Sequence, residues 1–347
     1  KMTKKNALIT GGCGFIGSNL AHSLVSEGWK VDIVDDMSNG HIDFLDGLDI
    51  RIVPGDMMCM YEQDNEHNRP DERTLVIQSD FVHDSVLKRI REHRYDVIFH
   101  AAANPRVSYS VERPVETHET NVHKTVGLFY VAAKSKTPVV FSSSSAVYGN
   151  CESFPTAEGE PKSPESPYGL HKLMCEKHAE MFAKTMDLRI VCLRYFNVYG
   201  PRQLGDSPYS TAVSSWCDKI YRDMPLRSDG DGDQSRDMIY VGDVVNANIL
   251  AADFVISKRT PSVYFHAMNV CTGTSVTNNE IIHLFKQRFE NIAVDHAPSR
   301  PGDVRKTHGE GHTAKFTLNF EPATSLEEGL RQTWHWWNFK NWRESGP

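Results

Sequence analysis

Residues 6–17 read NALITGGCGFIG, a short apolar run that passes directly into four glycines and then into an amphipathic stretch reaching Ser26. A strand, a tight turn and a helix are what this order predicts. The glycines of such a turn have separate duties. One must take positive φ, one must let a pyrophosphate approach backbone N–H groups with no Cβ in the way, and one must let the helix lie close on the strand. Gly11, Gly14 and Gly17, with Phe15 and Ile16 at the opening of the helix, are therefore candidate phosphate-binding residues.

A glycine cluster alone is a common loop, so its surroundings decide the reading. The second expected strand, Lys30–Asp36, ends in Asp35-Asp36 about twenty residues on, where a carboxylate can accept hydrogen bonds from an adenosine ribose. Asp35 is preferred to Asp36. A carboxylate there would repel a 2′-phosphate, and no arginine follows directly, so NAD is expected rather than NADP. The third strand, Thr74–Asp80, ends in Asp80-Phe81, an acceptor and an apolar face suited to adenine. Gly55-Asp56 is the rival position. The fourth, Tyr95–Ala101, runs into His100-Ala101-Ala102-Ala103, where small side chains let a dinucleotide lie against the backbone.

Thr137–Ser143 and Leu188–Tyr195 also read as buried strands, with helical patterns between most of these runs. The alternation predicts an α/β fold of Rossmann type, a doubly wound parallel sheet with ligands at the carboxyl ends of its strands. Beyond Gly200, short elements punctuated by Pro and Gly predict a smaller C-terminal, substrate-binding lobe. The expected division is 1–200 and 201–347, with Met238–Val245 and Tyr264–Val270 returning to the first lobe as strands. The segment Met57–Arg73, MMCMYEQDNEHNRPDER, carries charge, Asn and Pro with little periodicity and reads as a surface insertion.

Bulk properties narrow the class. The 347 residues exceed the roughly 250–300 at which a single core stops growing, which favours two lobes. A net charge of −7 without a basic stripe disfavours nucleic acid or an anionic membrane surface as partner. No apolar run approaches the ~20 residues of a membrane span, and Lys1-Met2-Thr3-Lys4-Lys5 leads into a strand rather than a secretory leader. The seven cysteines are scattered and include no C-x-x-C pair, which fits unpaired thiols in a reducing cytoplasm. No metal is expected at His308-Gly309-Glu310-Gly311-His312, because two glycines disfavour a helical presentation of both imidazoles and no third ligand is indicated. Trp334, Trp336, Trp337 and Trp342 read as a helix packing the C-terminus down.

Tyr168-Gly169-Leu170-His171-Lys172 opens a helical pattern reaching about Thr185, behind Pro164 and Pro167. Four-residue spacing puts Tyr168 and Lys172 on one face. A tyrosine ordinarily titrates near ~10, so one acting as a base needs nearby positive charge, here Lys172 and a nicotinamide ring. The segment FSSSSAVYG, residues 141–149, sets hydroxyls at the carboxyl edge of the sheet, where that ring should lie.

Taken in order, GGCGFIG, HAAA, Asn121, SSSSAVYG, YGLHK, LRYFNVYGPRQ, GDGDQSRDMIYVGDV and RPGD span nearly the whole chain. The chain resembles the NAD-dependent nucleotide-sugar epimerase/dehydratase family of extended short-chain dehydrogenase/reductases, and within it the UDP-N-acetylglucosamine and UDP-glucose 4-epimerases. The Met57–Arg73 segment has no counterpart in the family pattern. The resemblance implies that Ser144 hydrogen-bonds the sugar O4, Tyr168 is the base, Lys172 holds the nicotinamide ribose, Asn121 supports the active-site backbone and Tyr195 borders the cofactor. It implies Asn197 and Arg236 as diphosphate contacts, and Arg300 and Asp303 as diphosphate and ribose contacts, arginine being suited to phosphate oxygens. An ion pair of Arg236 with Asp237 or Asp243 is the competing role. Thr307, four residues past Asp303, would border the hexose pocket, where the family's bulky tyrosine excludes N-acetyl groups. A homodimer through Glu116–Ala133 and Tyr168–Thr185 is also implied.

Dehydratases of the family carry Asp-Glu after the catalytic hydroxyl, and decarboxylases a Glu. Ser145-Ala146 can do no carboxylate proton transfer, which leaves 4-epimerisation through a transient 4-keto sugar. A dehydratase, decarboxylase or dehydrogenase of the same family, or an NAD-sensing protein without turnover, are the alternatives.

Overall fold

The computed structural model describes residues 4–67, 72–206, 210–257, 260–299 and 304–344. Seven strands of the main sheet are β1 (Asn6–Thr10), β2 (Lys30–Asp35), β3 (Ile50–Pro54), β4 (Thr74–Gln78), β5 (Val97–His100), β6 (Val139–Ser144) and β7 (Arg189–Tyr195). Tyr264–Val270 is the eighth. From one edge the order is Tyr264–Val270, β7, β6, β5, β1, β2, β4, β3, and every pairing is parallel. The chain builds outward from β1 to β3, then returns to lay β5 on the other side of β1. That reversal opens a crevice at the carboxyl ends of β1 and β5, where ligands of such sheets bind.

Successive side chains of a strand point to opposite faces, and here both faces are covered. Ile9 and Ile33 pack with Leu20 and Leu24 of helix Phe15–Ser26 and with Val244 and Ile249 of helix Val241–Ile256. Their neighbours Leu8 and Val34 pack on the other side with Ile90, Leu128, Phe129 and Ala179. A separate core around Trp216, Phe285, Trp334 and Trp337 supports the later elements, where the C-terminal helix Leu326–Glu344 seats Trp334 against Phe285.

The structure departs from the sequence reading in four places. β3 gave no signal because it is an edge strand that buries only Val53 and ends at Pro54, a residue tolerated there. The first part of the Met57–Arg73 insertion is a helix, Met58–His67; residues 68–71 lie outside the described residues. Charge holds it together with an apolar contact: Met58 is buried in the core with Tyr61 packed beside it, Glu62 pairs with the buried Arg89 at 2.6 Å, and Arg89 with Asp32 at 2.7 Å. Periodicity could not reveal such an anchor. Met238–Val245 is not a returning strand. Met238–Tyr240 pairs in parallel with Asn197–Tyr199 in a separate ladder, and Val241 starts a helix whose buried Val241, Val244 and Val245 fit helical spacing as well as they fit an apolar run. The stretch Glu116–Ala133 is divided as well, into Pro114–His118, a π-turn at Glu119–His123 and the helix Lys124–Ser135.

Candidate active site

The turn after β1 is built by contact between backbones. Gly11 has φ +69°, and a Cβ there would stand 2.8 Å from the Ala102 Cα at the end of β5. A Cβ on Gly17 would stand 2.1 Å from the Gly11 carbonyl oxygen. Gly14 precedes the first helical residue, Phe15, and its Cβ would meet only that oxygen, at 3.3 Å. The first-turn N–H groups of Phe15, Ile16 and Gly17 have no intrahelical acceptor, so they face the crevice as anion donors. This close-fitting cradle is what a pyrophosphate requires.

Asp35 ends β2 beside the turn. Its carboxylate accepts from the N–H of Cys13 and of Met37, each at 2.9 Å, and burial pushes its pKa up against the pull of these bonds. Asp36 instead is exposed and caps a turn through the Ser38 N–H and hydroxyl. Asp80 follows β4, which pairs directly with β2, whereas Gly55-Asp56 follows β3, one strand further out. The topology therefore favours Asp80, whose carboxylate is held by the Val82 N–H and Lys124, with the buried Phe81 behind it against His100. Two residues that sequence reasoning missed stiffen this side: Thr10 and Thr125 sandwich the ring of His100 at 2.7 and 2.9 Å. Burial, and then the charge of Lys172, hold that imidazole neutral with a pKa of about 3. Thr10 Oγ1 also accepts from the Ala102 N–H.

The helix Pro167–Met186 starts where Ser166 caps the Gly169 N–H and Pro167 takes the first position. Its opening turn brings Tyr168 and Lys172 over the ends of β6 and β7. Ser144 ends β6, accepts from the Ala146 N–H, and lies beside Tyr195 in the strand register. Burial pushes the Tyr168 hydroxyl up to about 12, while its hydrogen bond with Ser144 works the other way. Lys172 is buried, donates to the Ser142 carbonyl at 2.6 Å, and stands 5.8 Å from the centre of the Tyr168 ring. Burial lowers its pKa to about 8, so the ammonium persists at neutral pH. Tyr195 is buried with its hydroxyl on Ser142 and Asn248.

Partners distant in sequence hold these groups. Ser110, which no motif singled out, accepts from the Tyr168 N–H at 3.0 Å. Asn121, in the π-turn, accepts from the Asn104 N–H and donates to the Asn104 carbonyl, bracing the loop after β5. Glu176 lies two helical turns past Tyr168 and grips Arg194 of β7 through two bonds of 2.7 and 2.9 Å, while Ser143 of β6 donates to it at 2.6 Å. Removing one member of such a buried pair costs about 3–5 kcal/mol.

The expected substrate residues converge only in part. Asn197 Oδ1 accepts from the Thr307 hydroxyl at 2.8 Å, so residues 110 positions apart are in contact. Arg236 sits between them in sequence, on the short strand Ser235–Arg236, and donates to the Ser235 carbonyl. The carboxylate of Asp237 is taken up by the N–H groups of Thr272, Gly273 and Gly309, and that of Asp243 by those of Ala323 and Thr324. Arg300 and Asp303 lie outside the described residues. In the His308–His312 stretch, His308 contacts the Gly273 carbonyl and His312 pairs with Glu310. Among the described residues no group of three or more His, Cys, Asp or Glu is arranged to hold a metal, and no helix is long and apolar enough to cross a membrane.

Residues 7–269 match the NAD dependent epimerase/dehydratase family. The fold is similar to a UDP-N-acetylglucosamine 4-epimerase from Methanobrevibacter ruminantium, solved with UDP-N-acetylmuramic acid (TM-score 0.84, 33% identity, 98% of this chain and 100% of that one). It is also similar to a UDP-glucose 4-epimerase from Thermotoga maritima, solved with UDP-glucose (TM-score 0.82, 32% identity, 97% and 99%). A UDP-N-acetyl-alpha-D-glucosaminuronate decarboxylase from Bacillus cytotoxicus is 30% identical over 96% of this chain and 98% of its own.

Proposed function

The chain belongs to the NAD-dependent epimerase/dehydratase family, with NAD as its cofactor, and from that premise we propose that it inverts C4 of a UDP-linked hexose. UDP-N-acetylglucosamine and UDP-N-acetylgalactosamine are the pair we assign to it first, with UDP-glucose and UDP-galactose turned over comparably or less well. The observation that carries the choice of reaction is the end of β6. Ser144 is followed by Ser145 and Ala146 in a short turn, so no carboxylate stands there to eliminate water or assist loss of CO2.

In this reading Gly11, Gly14, Phe15, Ile16 and Gly17 hold the pyrophosphate. Asp35 holds the ribose, Asp80 and Phe81 flank the adenine, and Ala101 and Ala102 leave room along β5. What NAD supplies when bound is reversible acceptance of the C4 hydride, so a full cycle leaves no net redox change. Tyr168 takes the O4 proton and Ser144 orients O4 toward it. A hydroxyl held near 12 in the bare protein is a poor base. Lys172 already stands beside it at that value, so the positive nicotinamide ring of bound NAD would supply the remaining field that brings it toward neutrality, while further N–H groups of Lys172 would reach the nicotinamide ribose. Asn197 and Arg236 contact the diphosphate, so the sugar nucleotide lies across the end of the first lobe and the lobe after Gly200. Thr307 borders the hexose, and its small side chain leaves volume for an N-acetyl arm in both poses of the turning sugar.

We also assign a homodimer, through the faces on which Val111, Val115, Tyr130, Leu170 and Met181 are exposed. The seven unpaired cysteines fit a reducing cytoplasm. The test of the reaction is turnover of a UDP-sugar panel with no cofactor added. An epimerase that recycles its bound NAD interconverts C4 epimers. A requirement for added NAD in proportion to product would indicate a dehydrogenase instead, and NAD binding with no turnover a sensor.

A further inference from the structure

The residues proposed for the sugar nucleotide come from three segments that share no hydrogen-bonded sheet with the cofactor turn. One buried side chain joins them. Asp237 is fully buried, and its two carboxylate oxygens accept four bonds: Oδ1 from the Thr272 N–H at 2.8 Å and the Thr272 hydroxyl at 2.7 Å, Oδ2 from the Gly273 N–H at 3.1 Å and the Gly309 N–H at 3.0 Å. Its main chain makes two more links. The Asp237 N–H donates to the Thr307 hydroxyl at 2.9 Å, and the Asp237 carbonyl accepts from the Asn197 N–H at 3.0 Å. Thr307 in turn donates to Asn197.

We propose that Asp237 is the positioning residue of the substrate site, a carboxylate clamp that fixes Asn197, Arg236 and Thr307 relative to one another so that affinity for the nucleotide sugar, and not for NAD, depends on it. The inference rests on the substrate reading above. Its physical basis is the donor set. Four donors converge on one buried anion, and three of them are backbone N–H groups, of Thr272, Gly273 and Gly309. The loop 304–311 is also attached by the Ser235 N–H to the Arg305 carbonyl and the Thr307 N–H to the Ser235 carbonyl, each at 3.0 Å, by the Ser275 hydroxyl to the Thr307 carbonyl and His308 to the Gly273 carbonyl, each at 2.9 Å, and by backbone bonds of Thr156 with His308 and Glu310. Gly309 can accept no larger residue to compensate, because a Cβ there would stand 2.7 Å from both Cys271 Sγ and Phe196. To these the carboxylate adds a buried tie that reaches, from the residue after Arg236, this loop and the Thr272–Gly273 turn at once.

Asp237→Asn keeps the shape and both main-chain links but turns one acceptor into a donor, so one pair of the four bonds becomes a clash of N–H groups. In NAD-loaded protein, titration calorimetry with UDP should show at least a tenfold rise in Kd. KM for the UDP-sugar should rise alongside, kcat should change less than about threefold, and bound NAD per chain should stay at the wild-type level. Amide exchange should quicken at 272–273 and 309 while the β1 turn keeps its protection. Thr272→Val removes the hydroxyl donor to Asp237, along with that hydroxyl's bonds to the exposed Thr274, and should give a smaller rise in Kd, about threefold, which Thr272→Ser restores. That pair decides the matter if Asp237→Asn fails to fold. Wild-type UDP affinity in Asp237→Asn, unchanged exchange at 309, or loss of UDP and NAD in parallel would each overturn the clamp. Wild-type protein that holds NAD but ignores UDP would instead overturn the substrate reading, and the clamp's role with it.

Discussion

The proposed cofactor side and the proposed substrate side of the crevice are built on different plans. On the cofactor side, Gly11, Gly14, Gly17 and Asp35 fall within 25 residues, and the contact that fixes the glycines is backbone on backbone: Gly17 against the Gly11 carbonyl, Gly11 against Ala102. On the substrate side, Asn197, Arg236 and Thr307 are spread over 110 positions and are joined by side chains through Asp237 and Thr307. The first plan fails by steric overlap when a single carbon is added. The second fails by loss of a hydrogen-bonding partner. Tyr168 stands at their junction, carried by a helix whose Glu176 grips β7.

Breaking the junction should have the largest effect. Tyr168→Phe removes the transferable proton and little else, so turnover should fall by about 10²–10⁴ while bound NAD and thermal stability stay near wild type. Steady-state epimerisation rates, read with the absorbance of bound cofactor, check this. Near-normal turnover would remove Tyr168 from the chemistry altogether. Ser144→Ala should cost less, since it removes an orienting hydrogen bond and not the base.

The steric plan is tested by a pair of alanines. Gly17→Ala forces the helix off the turn and should lower stability by about 1–3 kcal/mol with loss of bound NAD. Gly14→Ala meets only the Gly11 oxygen at 3.3 Å, with φ at −84°, and should keep near wild-type stability while losing NAD, because its Cβ would stand where the pyrophosphate approaches. Thermal melts separate the two, and NAD content after purification checks the loss in both. Equal melting would show that close packing does not define the cradle.

The hydrogen-bonded plan predicts a selective loss. Thr307→Tyr fills the space beside Asn197 and should cut turnover of N-acetylated UDP-sugars at least tenfold relative to UDP-glucose, because both poses of the turning sugar need that volume. Thr307→Ser keeps the bridge to Asn197 and Asp237 and should leave the ratio unchanged. Wild-type protein that ignores both acetylated sugars, or a tyrosine variant that handles them normally, would end the gating role.

The smallest effect concerns Lys172. Its folded pKa, about 8, lies below the ordinary 10.5. Between those values the unfolded chain keeps a proton that the folded chain has released, so this group makes stability rise with pH through that window. In cofactor-depleted protein, urea midpoints measured from pH 7.5 to 10 should therefore climb relative to those of Lys172→Met. A flat difference would mean that Lys172 is not desolvated as the structure has it.

What the sequence determined by itself is whatever depends on neighbours within one strand, turn and helix. The glycine turn, the Asp at the end of β2, and the Tyr168–Lys172 spacing behind Ser166 and Pro167 are local conformations, and local residues specify them. The strands that are buried on both faces were legible for the same reason, since their apolar runs carry the signal. Only the tertiary structure showed that Asp80 follows the strand next to β2 and Asp56 the strand beyond it, because β4 enters the sheet inside β3. Only it showed the helix at Met58–His67, tied down by Glu62 on Arg89 and by the buried Met58, and the fate of Met238–Val245, whose valines suit a strand and a helix alike. Asp237 belongs with these. A carboxylate next to an arginine reads in sequence as an ion-pair partner, and its actual work, four donors from positions 272, 273 and 309, is set by chain segments that meet only when the fold is complete.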